Sequence, residues 1–234
     1  MLLRDDPFEV LMIRRGSRGA FPSIQVFPGG VIEDADRAPH WQEAFADFDQ
    51  FEEPQRALRI GAIREVLEET GVLIGHDTYK VRDRSEPFFK TVQSLHMDLR
   101  LGSLTHFAHW VTPTFEPKRF ETHFYLAKFP TDQNVEIDNS EAISAEWLAP
   151  DEAVKLALSG ERPIIFPTLA NLSLLAQSGD SEHAISMALS RATKQIQPEL
   201  VEHSEGRLEL RIPSTSEYPI TNWVMTTRSF TQNP

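Results

Sequence analysis

The sequence predicts an α/β fold of the α+β type, and three observations support that prediction. The segment Phe8–Arg15 is rich in β-forming residues and follows a short extended stretch at Met1–Asp5. A helical pattern runs through the middle of the chain and ends within Arg64–Val72. Leu104–Pro113 and Arg119–Phe129 then have the pattern of strands, the second with alternating side chains. Strand-like segments on both sides of a central helix indicate a sheet covered by helices.

Composition restricts the class of protein. The chain has 234 residues, of which 40% are hydrophobic and 25% charged, as is ordinary for a globular protein with one ample core. Cysteine is absent, which excludes disulfides and thiolate metal ligands and fits a reducing compartment, so we expect the cytoplasm. No apolar run approaches the roughly 20 residues of a membrane span, and the first residues are charged too early for a signal peptide. We therefore expect no membrane partner.

The net charge bears on the ligand. A formal charge of −12 disfavours binding to long nucleic acid, because such binding depends on neutralising phosphates with Lys and Arg. It does not disfavour a small phosphate ester bridged by metal ions, since bound cations invert the local field. We expect a small-molecule ligand rather than a long polymer.

Two segments connect the first strands to the central helix. Gly16–Ser23 is a predicted loop, and Ile24–Phe27 is extended and leads into two glycines, which permit backbone angles closed to other residues. Residues 37–56 carry aromatic side chains at spacings of 4, 3 and 3, which is typical of a helix. We predict a short amphipathic helix laid on the body of the protein, with a lid over the substrate as the alternative. The aromatic residues are Trp41, Phe45, Phe48 and Phe51.

The central helix concentrates negative charge on one face. At 100° per residue, Glu65, Glu68 and Glu69 fall on the same side of the helix. Like charges at this spacing repel by roughly a few tenths of a kcal/mol per pair, and a hard divalent cation with oxygen ligands would offset that repulsion. The opposite face is apolar and suits burial. It carries Ile60, Ile63 and Leu67.

A proline and a glycine mark the predicted ends of the central helix. Pro54 suits its first turn, and Gly71 suits its C-terminal end. Val72–Ile74 then has the composition of a strand.

The second half continues with alternating elements and ends in an extended region. We read residues from about 163 to 234 as a C-terminal appendage that packs on the domain or on a second subunit, which leaves a homodimer possible. We predict helices at Ser85–Leu101, Pro150–Ser159, Thr168–Gln177 and Ser181–Gln195, a strand at Ile143–Leu148, and irregular extended structure from Pro198 onward.

Two segments together resemble the signature of the Nudix hydrolase family, whose box reads G-x5-E-x7-R-E-U-x-E-E-x-G-U, with U aliphatic. Phe27–Gly30 matches its start, and Arg64–Val72 matches every fixed position of its second half. The first half departs from the pattern: Asp36 stands where the box has Glu, and Gly30 lies 34 positions before Arg64 because residues 37–56 form an insertion. An interrupted box of this kind is similar to a branch that includes peroxisomal coenzyme A diphosphatases and bacterial relatives.

The resemblance implies a fold and a metal centre. The fold is a Nudix-type α/β/α sandwich with a mixed central sheet, an insertion inside the box and extra C-terminal helices, as a single domain over residues 1–234. The implied metal ligands for Mg²⁺ or Mn²⁺ are Glu65, Glu68, Glu69 and the carbonyl of Gly30. Arg64 lies one helical turn from Glu68 and is placed to orient its carboxylate. Glu68 is also implied as a possible catalytic base.

The general base and the substrate contacts are less sharply defined by the sequence. Glu141 is the first choice for the base, with Glu121 and Glu116 as competitors, and a loop carboxylate facing solvent is the alternative role for Glu141. Arg14, Arg15 and Arg18 form a basic cluster that either holds substrate phosphates or is ordinary surface charge. Leu11, Arg14 and Arg18 echo a motif of the coenzyme A branch, whose threonine-containing part is missing.

Three further positions near predicted elements are candidates for lining a pocket. For His109, His123 and Phe166–Thr168 we favour structural roles over ligand contacts.

The reaction implied by the resemblance is metal-dependent hydrolysis of a phosphoanhydride in a nucleoside diphosphate linked to another group. Coenzyme A or an acyl derivative is the first expected substrate. ADP-ribose, NADH or another nucleotide is the alternative within the same class. A non-catalytic, nucleotide-binding regulatory domain is the alternative of another class, and it is disfavoured because all three box glutamates are retained.

Overall fold

The computed structural model describes residues 1–16, 24–76, 86–94, 99–137, 139, 142–203, 207–214 and 217–225. Within these ranges the helices are α1 (Gln55–Thr70), α2 (Phe88–Ser94), α3 (Pro150–Leu158), α4 (Phe166–Leu175) and α5 (Ser181–Ser190). The strands are β1 (Leu2–Arg4), β2 (Glu9–Arg15), β3 (Gln25–Val26), β4 (Thr105–Val111), β5 (Glu121–Lys128), β6 (Ala142–Leu148), β7 (Gln195–Ile196), β8 (Glu199–Glu202), β9 (Leu208–Arg211) and β10 (Asn222–Met225).

The first seven strands form one mixed sheet, as the sequence predicts. Its order is β3-β2-β1-β5-β4-β7, and β6 also pairs with β2. The β1–β5 and β4–β7 pairs are parallel, whereas β1–β2, β2–β3, β2–β6 and β4–β5 are antiparallel. The remaining strands form a separate antiparallel sheet in the order β10-β9-β8.

Alternate residues of the central strands enter two different cores. Leu2 and Leu11 belong to the core beneath α1, whereas Leu3, Val10 and Met12 belong to the core beneath α4. Because successive side chains of a strand point to opposite faces, a sheet with helices on both faces has buried residues on both sides. This arrangement is the predicted α/β/α sandwich.

The insertion folds differently from its prediction. In place of an amphipathic α-helix it contains short 3₁₀ helices at Pro39–Glu43 and Phe48–Gln50, after another at Asp34–Arg37. Aromatic spacing of three suits the 3₁₀ repeat as well as the α-helix, so the pattern alone did not separate them. Trp41 and Phe45 are buried in the core beneath α1, which supports packing on the body and not a lid.

Val72–Ile74 is not a strand, which corrects the sequence prediction. The segment is buried, but its backbone bonds to a side chain instead of a neighbouring strand. The amide of Leu73 donates to Gln133 Oε1 at 2.9 Å, and Gln133 Nε2 donates to the carbonyl of Leu73 at 2.9 Å. An amide side chain that offers both a donor and an acceptor satisfies the buried backbone as a strand partner would.

Two predicted helices are also shorter than expected. Helix α2 covers only Phe88–Ser94 of the predicted Ser85–Leu101, where residues 85 and 95–98 lie outside the described residues and Leu101 begins a 3₁₀ turn. Helix α5 ends at Ser190, and β7 occupies the end of the predicted helix by pairing with β4. Pairing with a sheet edge overrides a helical pattern whose apolar side chains suit both structures.

The C-terminal region packs on the main sheet through a buried tyrosine. Tyr218 Oη donates to Asn171 Oδ1 at 3.0 Å and accepts from Trp110 Nε1 at 3.2 Å. Ile212 and Tyr218 belong to the same core cluster as α4. These contacts favour packing on the domain, the first of the two alternatives considered for this region. In the part of the chain that the structure describes, no helix combines the length and hydropathy of a membrane span.

Candidate metal and phosphoanhydride site

Helix α1 presents its carboxylates in the way that the sequence predicts. Ile60 and Ile63 are fully buried on one side, and Gly71 ends the helix with a φ of 72°. The positive φ is the left-handed conformation that glycine adopts without a Cβ penalty. On the other side, the side chain of Glu68 is 46% exposed, that of Glu65 is 13% exposed, and Glu69 is buried. The exposure of the three carboxylates therefore decreases from Glu68 through Glu65 to Glu69.

Arg64 is the centre of the ion-pair network beside these carboxylates. Its Nη1 lies 2.9 Å from both Glu65 Oε1 and Glu68 Oε2, and its Nη2 donates to the carbonyl of Val31 at 2.9 Å. The guanidinium is nearly buried. Its burial alone would lower the pKa of Arg64, but the hydrogen bond to Asp36 and the charges of Glu65, Asp36 and Glu68 raise that pKa above its ordinary value.

Asp36 takes the place of the missing box glutamate in this network. It accepts two bonds of 2.9 Å from Arg64, Nε to Oδ1 and Nη2 to Oδ2, and its side chain has no exposed surface. The Oδ2 atom also accepts from the backbone of Glu33 at 2.9 Å. A bidentate, buried carboxylate fixes the plane of the guanidinium. The departure from the box therefore preserves a carboxylate at this point, with a shorter side chain.

The glycine pair lies directly against the helix. The amide of Gly29 donates to Glu69 Oε2 at 2.7 Å, which fixes the buried carboxylate. Gly30 is so close to the carboxylate of Glu65 that a Cβ at this position would overlap its Oε2 atom. Glycine at position 30 therefore lets the backbone of the loop approach Glu65 closely without displacing its side chain.

The electrostatics of the cluster favour a cation. Arg64 is within ion-pair distance of four carboxylates, those of Glu33, Asp36, Glu65 and Glu68, so one positive charge faces four negative charges. Burial raises the pKa of Glu68, as do the charges of Glu33 and Asp36, while Arg64 opposes the rise. Carboxylate and backbone oxygens are the ligands that Mg²⁺ prefers. The predicted donor set of Glu65, Glu68, Glu69 and the Gly30 carbonyl is of the chemical kind that a hard divalent cation accepts.

The other residues predicted to belong to the site are partly described by the structure. Arg14 is exposed and Arg15 half-buried at the end of β2, where Arg14 lies opposite Gln25 and Ser144. Arg18 and Glu141 lie outside the described residues, so their predicted roles stay predictions. Phe166 is buried at the start of α4 and packs edge-on against Trp110 with ring centroids 5.7 Å apart, in keeping with a structural role.

The two competitors of Glu141 as general base lie on the β4–β5 side of the sheet. Glu116 is half-buried in the connection between these strands. Glu121 lies at the start of β5, with Oε1 at 2.8 Å from His109 Nε2. Sequence reasoning did not identify Glu33 and Asp36 as partners of Arg64. The only signal was that Asp36 occupies the position of the box glutamate.

Comparison with known proteins places this geometry in context. The family model of the NUDT19 Nudix domain matches residues 53–175. A putative nudix hydrolase 7 of Caenorhabditis elegans is 28% identical over 73% of this chain and 57% of its own length. The human acyl-coenzyme A diphosphatase NUDT19 is 25% identical over 79% of this chain and 65% of its own length. The chain thus spans somewhat over half the length of these curated relatives.

A solved structure shares the fold as well. The crystal structure of a NUDIX hydrolase from Alicyclobacillus acidocaldarius has a TM-score of 0.68 and 26% sequence identity. The similarity covers 82% of this chain and 93% of that one.

Proposed function

The chain belongs to the NUDT19 Nudix domain family of Nudix hydrolases, and from that premise we propose that it hydrolyses a phosphoanhydride bond with Mg²⁺ or Mn²⁺. The proposed substrate is coenzyme A or an acyl-coenzyme A, cleaved at its diphosphate. Nudix hydrolases generally use divalent metals, and the ligands proposed here are Glu65, Glu68, Glu69 and the Gly30 carbonyl.

The observation that carries this proposal is the excess of carboxylate around Arg64. Four carboxylates share one guanidinium, and Glu69 adds another carboxylate at Gly29. Such a cluster repels a phosphate group on its own. It attracts one when divalent cations are present, because the cations become the largest local charges.

Each side chain of the network has a distinct part in the proposed reaction. A bound divalent cation supplies charge neutralisation for the diphosphate oxygens and lowers the pKa of water. Arg64, fixed in plane by Asp36, orients Glu65 and Glu68. The amide of Gly29 holds Glu69 in one orientation. Glu68 is the most exposed of the three, so its carboxylate is the one that water reaches most easily.

The choice of coenzyme A rests on the relatives and on the arginines of β2. Acyl-coenzyme A diphosphatase is the described activity of the human, Xenopus laevis and Gallus gallus NUDT19 proteins that this chain resembles. Arg14 and Arg15 lie at the end of β2, two neighbouring cations that suit a phosphate group. We propose that they bind the substrate, together with Arg18.

A substrate panel tests the proposal. Phosphate-containing products are measured from coenzyme A, an acyl-coenzyme A, ADP-ribose, NADH and nucleoside triphosphates, with Mg²⁺, Mn²⁺ or a chelator, for the wild type and Glu69→Gln. We expect the highest kcat/KM for a coenzyme A substrate, with no turnover in chelator. Preference for ADP-ribose or NADH would select the alternative substrates. Tight binding without turnover of any nucleotide would instead indicate the regulatory, non-catalytic alternative.

The arginines are tested with a substrate that lacks one phosphate. Coenzyme A and 3′-dephospho-coenzyme A are compared for the wild type, Arg14→Ala and Arg15→Ala. If these residues bind the 3′-phosphate, the variants raise KM for coenzyme A and leave KM for the dephospho form unchanged. Lys90→Ala, an exposed cation on α2, is the control. Equal effects on both substrates would assign the arginines to surface charge.

A further inference from the structure

A second group of ionisable side chains lies on the β4–β5 pair. His109 and His123 are direct cross-strand partners, and Glu121 lies two positions before His123 on the same face of β5. The two imidazole rings are stacked, with centroids 4.1 Å apart and planes 14° apart.

A β-bulge brings a third histidine to the same face. His106 pairs with Tyr125 and Ala108 pairs with Phe124, so Phe107 is the extra residue. Three positions separate His106 from His109, which in a regular strand would place them on opposite faces. The extra residue reverses that alternation, as bulges do where a side chain must be re-aimed. Arg191 donates to the carbonyl of Phe107 and so satisfies the backbone of the bulge.

The donor atoms of His109, Glu121 and His123 lie close together. One ligand atom from each of His109, Glu121 and His123 lies within 4.8 Å of the other two. His109 Nε2 lies 2.8 Å from Glu121 Oε1, yet this buried nitrogen has no hydrogen-bond partner, since the contact lacks hydrogen-bond geometry. His123 Nε2 lies 3.7 Å from the same oxygen. Two imidazoles and one carboxylate are therefore close enough together to bind one ion.

The third histidine, His106, contacts the ring nitrogen of His123 that is not used as a ligand. His106 Nε2 lies 3.1 Å from His123 Nδ1. A proton on Nδ1 of His123 would be held by this contact, which leaves the Nε2 lone pair of His123 available for a ligand. An outer hydrogen bond of this kind fixes the tautomer of a metal-binding histidine.

We propose that His109, Glu121 and His123 bind a divalent transition-metal ion, with zinc as the best match, at a site separate from the carboxylates of α1. Two imidazoles and one carboxylate form a donor set that zinc accepts, whereas magnesium prefers oxygen ligands alone. Glu121 is 64% exposed, so its carboxylate lies on the solvent side of the cluster. His106 positions His123 without binding the ion itself.

A contact between β5 and α1 relates the second cluster to the helix. Tyr125, next along the face from His123, donates to Gln55 at 3.1 Å in the first turn of α1. Glu65 lies ten residues further along the helix, a rise of about 15 Å. The two proposed sites therefore draw their ligands from different elements: α1 and the Gly30 loop in one, β4 and β5 in the other.

Metal content of the purified protein tests the proposal. The wild type, His109→Asn, His123→Asn and Glu121→Gln are loaded with Zn²⁺, dialysed against excess Mg²⁺ and analysed for zinc by mass spectrometry. We expect one equivalent of zinc in the wild type and a loss of affinity above about 100-fold in each variant, beyond the range of outer-shell changes. His106→Ala should lose about tenfold. His183→Asn, an exposed histidine of α5, is the matched control and should keep its zinc.

A measurement on the wild-type protein tests the proposal even if the variants fail to fold. Cobalt replaces zinc, and its visible d–d absorption reports nitrogen ligands in a low-coordinate site. Strong absorption that excess Zn²⁺ abolishes and excess Mg²⁺ does not is the expected result. If the wild type retains no zinc and gives no cobalt bands, or if His109→Asn and His123→Asn retain zinc as well as His183→Asn does, the proposal is wrong.

Discussion

The carboxylate cluster of α1 and the histidine cluster of β4–β5 are built in opposite ways. The first takes most of its ligands from one helix, where spacings of three and four residues place them on one side. The second takes its ligands from two strands and depends on their register and on a bulge. The first is rich in hard oxygen donors, and the second offers imidazole nitrogens. The two proposals together would give one sheet-and-helix scaffold two cation sites of different selectivity.

Glu65→Gln should have the largest effect on hydrolysis while leaving the histidine cluster unchanged. The change removes one charge from the carboxylate cluster and should lower kcat/KM by more than about 100-fold, above the usual cost of outer-shell changes. Zinc content should remain at the wild-type level, because no histidine is altered. Steady-state kinetics and metal analysis on the same preparation measure both. A parallel loss of zinc would show that the two clusters are one site.

Asp36→Asn should have the next largest effect, and mainly on stability. The variant leaves Arg64 without its bidentate buried partner, and breaking such a pair costs about 3 kcal/mol. Denaturant unfolding followed by circular dichroism measures the free energy of unfolding. Asp34→Asn changes an exposed carboxylate in the same 3₁₀ turn and should have little effect. Equal stabilities for the two variants would mean that Asp36 does not anchor Arg64.

Gly30→Ala tests the fit of the loop against α1. The added methyl group would overlap the carboxylate of Glu65, whose flexible end can move aside. We expect kcat/KM to fall about 10- to 100-fold, as for changes that misplace a metal ligand, with a loss of unfolding free energy below about 1 kcal/mol. Gly179→Ala, where a Cβ meets nothing within 4 Å, is the control. Wild-type kinetics of Gly30→Ala would contradict the close approach of the loop to Glu65.

His109→Asn should have the smallest effect on hydrolysis. With Mg²⁺ as the cation we expect wild-type kcat/KM, because His109 lies on β4 and is not among the proposed ligands of the carboxylate site. The variant should nevertheless lose the stabilisation that zinc gives to the wild type, which amounts to about 2.7 kcal/mol at 100 times the Kd. Thermal unfolding with and without Zn²⁺ measures this difference. A zinc-dependent stabilisation equal to that of the wild type would remove the histidine from the site.

Much of the main sheet and of helix α1 could be predicted from the sequence. The strands β1, β2, β4 and β5, the central helix and its end at Gly71 are found where their patterns indicate. The insertion and Val72–Ile74 depart from their predicted structures. Three-residue spacing in the insertion suits both the α-helix and the 3₁₀ helix. Leu73 bonds to the side chain of Gln133, 60 positions further along the chain, and not to a neighbouring strand. Such contacts between distant parts of the chain leave no local periodicity.

The sequence by itself determined the family resemblance and the carboxylate face, because the periodicity of a helix is fixed by local backbone geometry. Only the tertiary structure decided that Asp36 holds Arg64 across 28 positions and that His106 shares a face with His109. The first depends on how the insertion folds back on α1. The second depends on one bulged residue, Phe107, whose presence follows from the pairing of two strands and from no feature of either strand alone.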